Sequence, residues 1–117
     1  MSHFKAPYKA KKLNTWRTYN EPQNIPPRTV EDFLEEAGAT LIQRGKEYDS
    51  TARERSAARA AKAFNAITGR KLKIAEVWLL LQIVKDVRQF TGHYHQDSAV
   101  DCIAYAALKA EALVNQT

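Results

Sequence analysis

The sequence predicts an all-α domain of four main helices in a bundle, preceded by a basic and mostly irregular N-terminal arm. Three observations carry this. Apolar residues recur with the 3.6-residue period of a helix over several stretches. No stretch alternates β-branched and polar residues over a useful length, so there is no strand signal. All four prolines fall before residue 28 (Pro7, Pro22, Pro26, Pro27), where no apolar period exists. A chain of 117 residues is one domain. We therefore divide it into an arm, 1–28, and a helical domain, 29–117.

The arm concentrates the charge. It holds six basic side chains against one acid, so it carries the whole net +5, and the remaining residues are twelve against twelve. Its Phe4, Tyr8, Trp16 and Tyr19 alternate with Lys and Arg, a pattern that would stack on bases and neutralise phosphates of a single-stranded nucleic acid. The same pattern suits an arm that wraps its own body or a neighbouring subunit. A single Cys, Cys102, excludes a disulfide framework and a cysteine-rich zinc site. The first sixteen residues contain no apolar signal core, and the longest apolar run, VWLLL, is far too short to cross a bilayer. The expectation is a cytoplasmic protein with no membrane partner.

Thr29 is an N-cap, with Glu31 and Asp32 in the first turn to complement the helix dipole. This first helix is expected to turn Phe33, Leu34, Ala37, Leu41 and Ile42 inward and to end at Arg44, with Gly45 as its stop. The following segment, RGKEYD, is then a loop rich in groups that bind phosphate or metal: Arg44, Lys46, Glu47, Tyr48 and Asp49. Thr51-x-x-Glu54 is a capping box for a second, alanine-rich helix ending at Thr68-Gly69. Phe64 and Ile67 would fill the gap to its neighbour, and Arg55, Arg59 and Lys62 share one stripe.

The third helix starts at Ile74. Leu72, Ile74, Val77, Leu80, Leu81, Val84 and Val87 give its main period, and Trp78, Leu79, Ile83 and Phe90 cover a second flank. A helix apolar over most of its circumference needs more than one neighbour, so a homodimer or larger oligomer is expected. The last helix starts at Asp97 or Ser98 and buries Val100, Ile103, Ala104, Ala107, Leu108 and Ala112.

Candidate chemistry gathers on the last two helices. Asp97 and Asp101 are four apart and project from one face, a spacing at which two carboxylates can share Mg²⁺ if Glu76, Asp86, Glu47 or Asp49 completes the oxygen shell. Both acids also have a structural use, because Asp97 would serve as an N-cap and Ser98-x-x-Asp101 reads as a capping box. His93-x-His95-x-Asp97 does not have a recurring zinc spacing, which leaves His95 as a phosphate or hydrogen-bond partner. No GxxxxGK[ST] loop and no serine or cysteine nucleophile motif is present, and an acidic neighbour would raise the Cys102 pKa.

The residues RGKEYD, FNAITGRKLKIAEVWLLLQIVKDVR and HQDSAVDCIAYAALKAE resemble a family of small all-α domains common in tailed-phage genomes. The resemblance covers about two thirds of the chain through Arg44, Gly45, Tyr48, Lys85, Arg88, His95, Asp97, Ser98, Asp101 and Tyr105. That family is in turn similar to the all-α nucleoside triphosphate pyrophosphohydrolases of the MazG and dimeric dUTPase type, which hold Mg²⁺ with Glu-x-x-Glu on one helix and Glu-x-x-Asp on another. Here Asp101 stands at the final Asp, Ser98 replaces the preceding Glu, and the helix of Glu76 has no Glu-x-x-Glu.

The resemblance implies a nucleotide as ligand and the host cytoplasm as compartment. As a hydrolase, the chain would hold Mg²⁺ with Asp97, Asp101, Glu76 and Glu47. Lys85 and Arg88 would neutralise developing charge. Arg44, Lys46, Tyr48, His95 and Tyr105 would contact the nucleotide. The alternatives are a non-enzymatic phage protein that modulates a host protein or nucleotide signal, and a nucleic-acid binder working through residues 1–28.

Overall fold

The computed structural model describes residues 25–48 and 56–115, with Lys46, Glu47 and Tyr48 described by backbone alone. The arm to residue 24, its nucleic-acid pattern and the Thr51-x-x-Glu54 capping box lie outside the described residues. Among the described residues the fold is all-α: α1 (Val30–Tyr48), α2 (Ser56–Thr68), α3 (Ile74–Gln89) and α4 (Gln96–Asn115). No described helix is long and apolar enough to cross a membrane.

Thr29 caps α1 as its chemistry predicts. The Thr29 amide donates to the Asp32 carboxylate and the Asp32 amide donates to the Thr29 hydroxyl, both at 3.0 Å. Hydrogen bonding to the carboxylate from Thr29, its amide first and its hydroxyl second, holds the Asp32 carboxyl below its ordinary pKa, so its contribution to stability is present above the ordinary carboxylate range and fades as the pH falls through the lowered pKa. Arg28 braces the same turn, with its guanidinium 4.6 Å from the Phe33 ring centre and 2.6 Å from Glu36.

The expected end of α1 is corrected. The helix runs through Gly45 to Tyr48, so Arg44, Lys46, Glu47 and Tyr48 occupy its last turns and not a loop. A glycine stops a helix when it takes a positive φ. Among the described glycines only Gly69 and Gly92 do, each at 73°. Gly45 stays helical, which costs about 1 kcal/mol relative to alanine but does not break the ladder. Leu34 and Ile42, expected inside, are exposed, and Ala37 is the buried residue of this helix.

α2 ends where expected, with the Gly69 amide donating to the Asn65 carbonyl at 2.8 Å. Asn65 then fixes the connector to α3. Its side chain accepts from the Leu72 amide at 2.6 Å and donates to the Leu72 carbonyl at 3.0 Å. The helix meets its neighbours through Ala57 and Ala61, which are four apart and buried, whereas Phe64 and Ile67 are exposed at 40% and 84% and do not fill the gap. Alanine at the contact lets the backbones approach closely, and the larger residues are left on the far face.

The helices stand in the spatial order α1, α4, α3, α2, each packing on the next. The core joins Ala57, Ala61, Ala75, Val77, Trp78, Leu108 and Ala112, with Leu41, Leu72, Ile74, Leu81 and Tyr105 packed against it. Trp78 is 3% exposed and stacks on Tyr105, their ring centres 5.6 Å apart at 25°. Leu80, Val84 and Val87, expected to face inward, are exposed together with Leu79, Ile83 and Phe90. The apolar period is present, but in this order α3 has neighbours on two sides only.

α4 begins at Gln96, with the His95 carbonyl accepting from the Ser98 and Ala99 amides at 3.1 and 3.3 Å. Asp97 is therefore in the first turn and is not the cap. Ser98, Val100, Ala104, Leu108 and Ala112 are its buried residues, while Ala107 is exposed.

Candidate functional site

Three helices each bring one charge to a common point. Asp101, one turn beyond Asp97 on α4, is half-buried. Its Oδ1 accepts from Arg44 Nη2 of α1 at 3.1 Å, and its Oδ2 pairs with Lys85 Nζ of α3 at 3.0 Å. Side-chain exposures of 29% for Arg44, 17% for Lys85 and 14% for Asp101 place the cluster between interior and solvent. Two charge-assisted contacts on one carboxylate fix all three side chains.

A cavity of about 220 Å³ opens beside the cluster, lined by Glu36, Thr40, Arg44, Asp97, Val100 and Asp101. Glu36 is partly neutralised there, since it pairs with Arg28 and accepts from Gln96 Nε2 at 3.0 Å. Thr40 donates to the Glu36 carbonyl at 2.9 Å. Glu36, Thr40 and Gln96 were missed by sequence reasoning. The signal was available, because Glu36, Thr40 and Arg44 are successive i, i+4 positions and form one polar stripe on α1.

The structure does not assemble the Mg²⁺ set. Both oxygens of Asp101 are occupied by cations. Glu76 caps α3, its Oε1 accepting from the Lys73 amide at 2.8 Å, and it sits nine residues from Lys85, about 13 Å along the helix axis. Asp97 is exposed, the Glu47 side chain lies outside the described residues, and no group of three potential ligands occurs among the described residues.

The other predicted contacts are dispersed. Tyr105 is packed under Trp78 in the core. Arg88 and His95 are exposed toward the α3–α4 connection, and the side chains of Lys46 and Tyr48 lie outside the described residues. Ser98 is fully buried and makes no capping box with Asp101, and its Oγ has no partner in the structure.

Cys102 faces α3. Its Sγ lies 3.0 Å from Asp86 Oδ1 and 3.9 Å from the Gln82 carbonyl. Burial first, and then the Asp86 carboxylate, push the thiol up to about 11 from 9.0. The direction is the one expected from sequence, but the acid responsible is Asp86 and not Asp101. A raised folded-state pKa stabilises below 9 and loses that contribution as the pH rises through about 11. Alkylation of the native protein by iodoacetamide should accordingly be slow at pH 8 and keep accelerating above about pH 10, where an unperturbed thiol has levelled off. A plateau at about pH 10 would show the thiol free of Asp86.

A larger cavity, about 450 Å³, lies away from the charge cluster between the Lys71–Ala75 connector, Asn65, Ala112 and Leu113. None of the residues predicted to act on a ligand lines it.

Residues 32–113 match the family described as Domain of unknown function (DUF6378), and the chain belongs to that family. No curated protein and no solved structure matches it.

Proposed function

We propose that this member of the DUF6378 family is a nucleotide-binding domain of the phage type, one that takes a phosphate group at the Arg44–Lys85 pair and has no magnesium cage of its own. The observation that supports this reading is the convergence of Arg44, Lys85 and Asp101 from three helices, with Arg44 and Asp101 on the wall of an open cavity. Two cations share the carboxylate of Asp101, so these three groups carry a net positive charge beside a cavity wall to which Glu36 and Asp97 add acids. Lysine carries three donors, more than the one Asp101 oxygen that Lys85 meets can satisfy. Asp101 would orient the two cations in advance, which lowers the entropic cost of closing them on a phosphate. The pyrophosphohydrolase activity implied by the MazG resemblance needs a metal set, and none is brought together among the described residues, so binding without hydrolysis is the reading adopted here.

Thermal melting of the protein against nucleoside mono-, di- and triphosphates, each with and without Mg²⁺ or Mn²⁺, tests it. A bound nucleotide at a hundred times its Kd should stabilise the fold by about 2.7 kcal/mol, and the shift should persist in EDTA. A shift that appears only with metal would restore the hydrolase reading. No shift with any nucleotide would sink phosphate recognition. It would then favour the second reading, a non-enzymatic protein-binding role, which draws support from the uncovered apolar face of α3.

A further inference from the structure

α3 packs on α4 along one side and on α2 along another, and no other described helix packs on its remaining side. On that side Leu79, Leu80, Ile83, Val84, Val87 and Phe90 each keep between 42% and 59% of their surface. At 100° per residue these six positions fall within an arc of about 140°, and the only charged residue sharing it is Glu76, at its N-terminal end. The stripe exposes on the order of 500 Å² of apolar surface, near the upper limit of what a monomer leaves contiguous in water. A homodimer of ordinary size covers about 800 Å² on each partner, of which about two thirds is apolar. Stripe and polar rim together therefore match one such interface.

We propose that α3 is a homodimer interface, packed antiparallel against α3 of a second copy about a two-fold axis near Ile83. The stripe is centred on Ile83, so the two-fold sets Leu79 and Leu80 of one copy against Val87 of the other. Such a surface is complementary to itself, as an isologous contact requires. Parallel packing would set two Glu76 carboxylates side by side, whereas antiparallel packing brings each Glu76 toward the end of the partner helix that carries Arg88. Charge also favours a second copy as the occupant. Residues 29–117 are balanced at twelve basic and twelve acidic side chains, so two bodies do not repel, and the stripe lacks the charged rim that would select a strongly acidic or basic partner. Lys85 lies on the opposite side of α3, so the dimer leaves both Arg44–Lys85–Asp101 clusters open.

Sedimentation of the full chain over about 1 to 100 μM, the range in which weak and tight dimers are separated, reads this directly. The wild type should reach twice the 13.3 kDa of one chain. Ile83→Glu should return it to one chain mass with its helical circular dichroism intact. If that change lowers helicity, Leu80→Lys, at the most exposed position of the stripe, takes its place. Leu80→Lys and Val87→Glu should each weaken the dimer at least tenfold. Both together in one chain should restore it, because antiparallel packing sets the introduced lysine of each copy against the introduced glutamate of the other. A wild type of single-chain mass at every concentration overturns the proposal, whether residues 1–24 or a different protein then covers the face. A dimer indifferent to these changes overturns the interface, and failure of the paired change to restore association overturns the antiparallel arrangement.

Discussion

Trp78→Ala should lower the unfolding free energy by about 3 to 5 kcal/mol in urea denaturation. Trp78 is 3% exposed, and among the described residues six of the ten buried apolar ones are alanines: Ala37, Ala57, Ala61, Ala75, Ala104 and Ala112. A core built on alanine gains close helix approach but little area per side chain, so the indole is its largest single contribution. Its removal also unstacks Tyr105, and alanine neighbours have no side-chain length with which to close the void. Against a total stability of about 5 to 15 kcal/mol, this loss would leave the domain marginal. Trp78→Phe keeps a ring over Tyr105 and should recover most of the deficit. A cost below about 1 kcal/mol would mean that the ring is not buried in solution.

Local chemistry was legible in the sequence and relations between helices were not. Thr29 was readable as a cap because a hydroxyl two or three residues from unpaired amides acts within one turn. Gly45 was misread for a complementary reason. Whether a glycine stops a helix depends on the φ it adopts, and the residues after it gain by staying helical. Trp78 was grouped with Leu79, Ile83 and Phe90 on one flank of α3, yet it alone of the four is buried, because periodicity states which residues are apolar and not how many neighbours a helix has. Leu80, Val84 and Val87 were therefore assigned to a core that the row α1, α4, α3, α2 does not provide. Arg44, Lys85 and Asp101 were each singled out, yet their convergence is a fact of packing across 57 residues of chain. Glu76 was considered as one group that could complete a metal shell, and its capping role, that of an acid at the third position after an N-cap, was not read.

Asp101→Asn separates a charge clamp from a metal ligand, because the two roles predict opposite results in metal-free buffer. In the clamp, Asp101 gives Arg44 and Lys85 one acceptor oxygen each. Asparagine offers one acceptor and turns a donor toward the remaining cation, so one contact is lost, another becomes repulsive, and two positive charges face each other without a counter-ion. Each charge-assisted bond contributes about 1.5 to 3 kcal/mol, and side-chain exposures of 14% to 29% moderate the total, giving an expected loss of about 2 to 4 kcal/mol. Asp97→Asn is the control. It removes an exposed acid from the first turn of α4 and should cost only the dipole contribution, about 0.3 to 1 kcal/mol. Lys85→Met in the Asp101→Asn background removes the repelled cation and should recover at least about 1 kcal/mol, a coupling that a double-mutant cycle isolates. A metal ligand would behave otherwise: without metal, Asp101→Asn would relieve carboxylate repulsion and leave stability unchanged or raised. A loss under about 0.5 kcal/mol with no coupling to Lys85 would remove the clamp, and with it the pre-oriented cations on which phosphate binding rests.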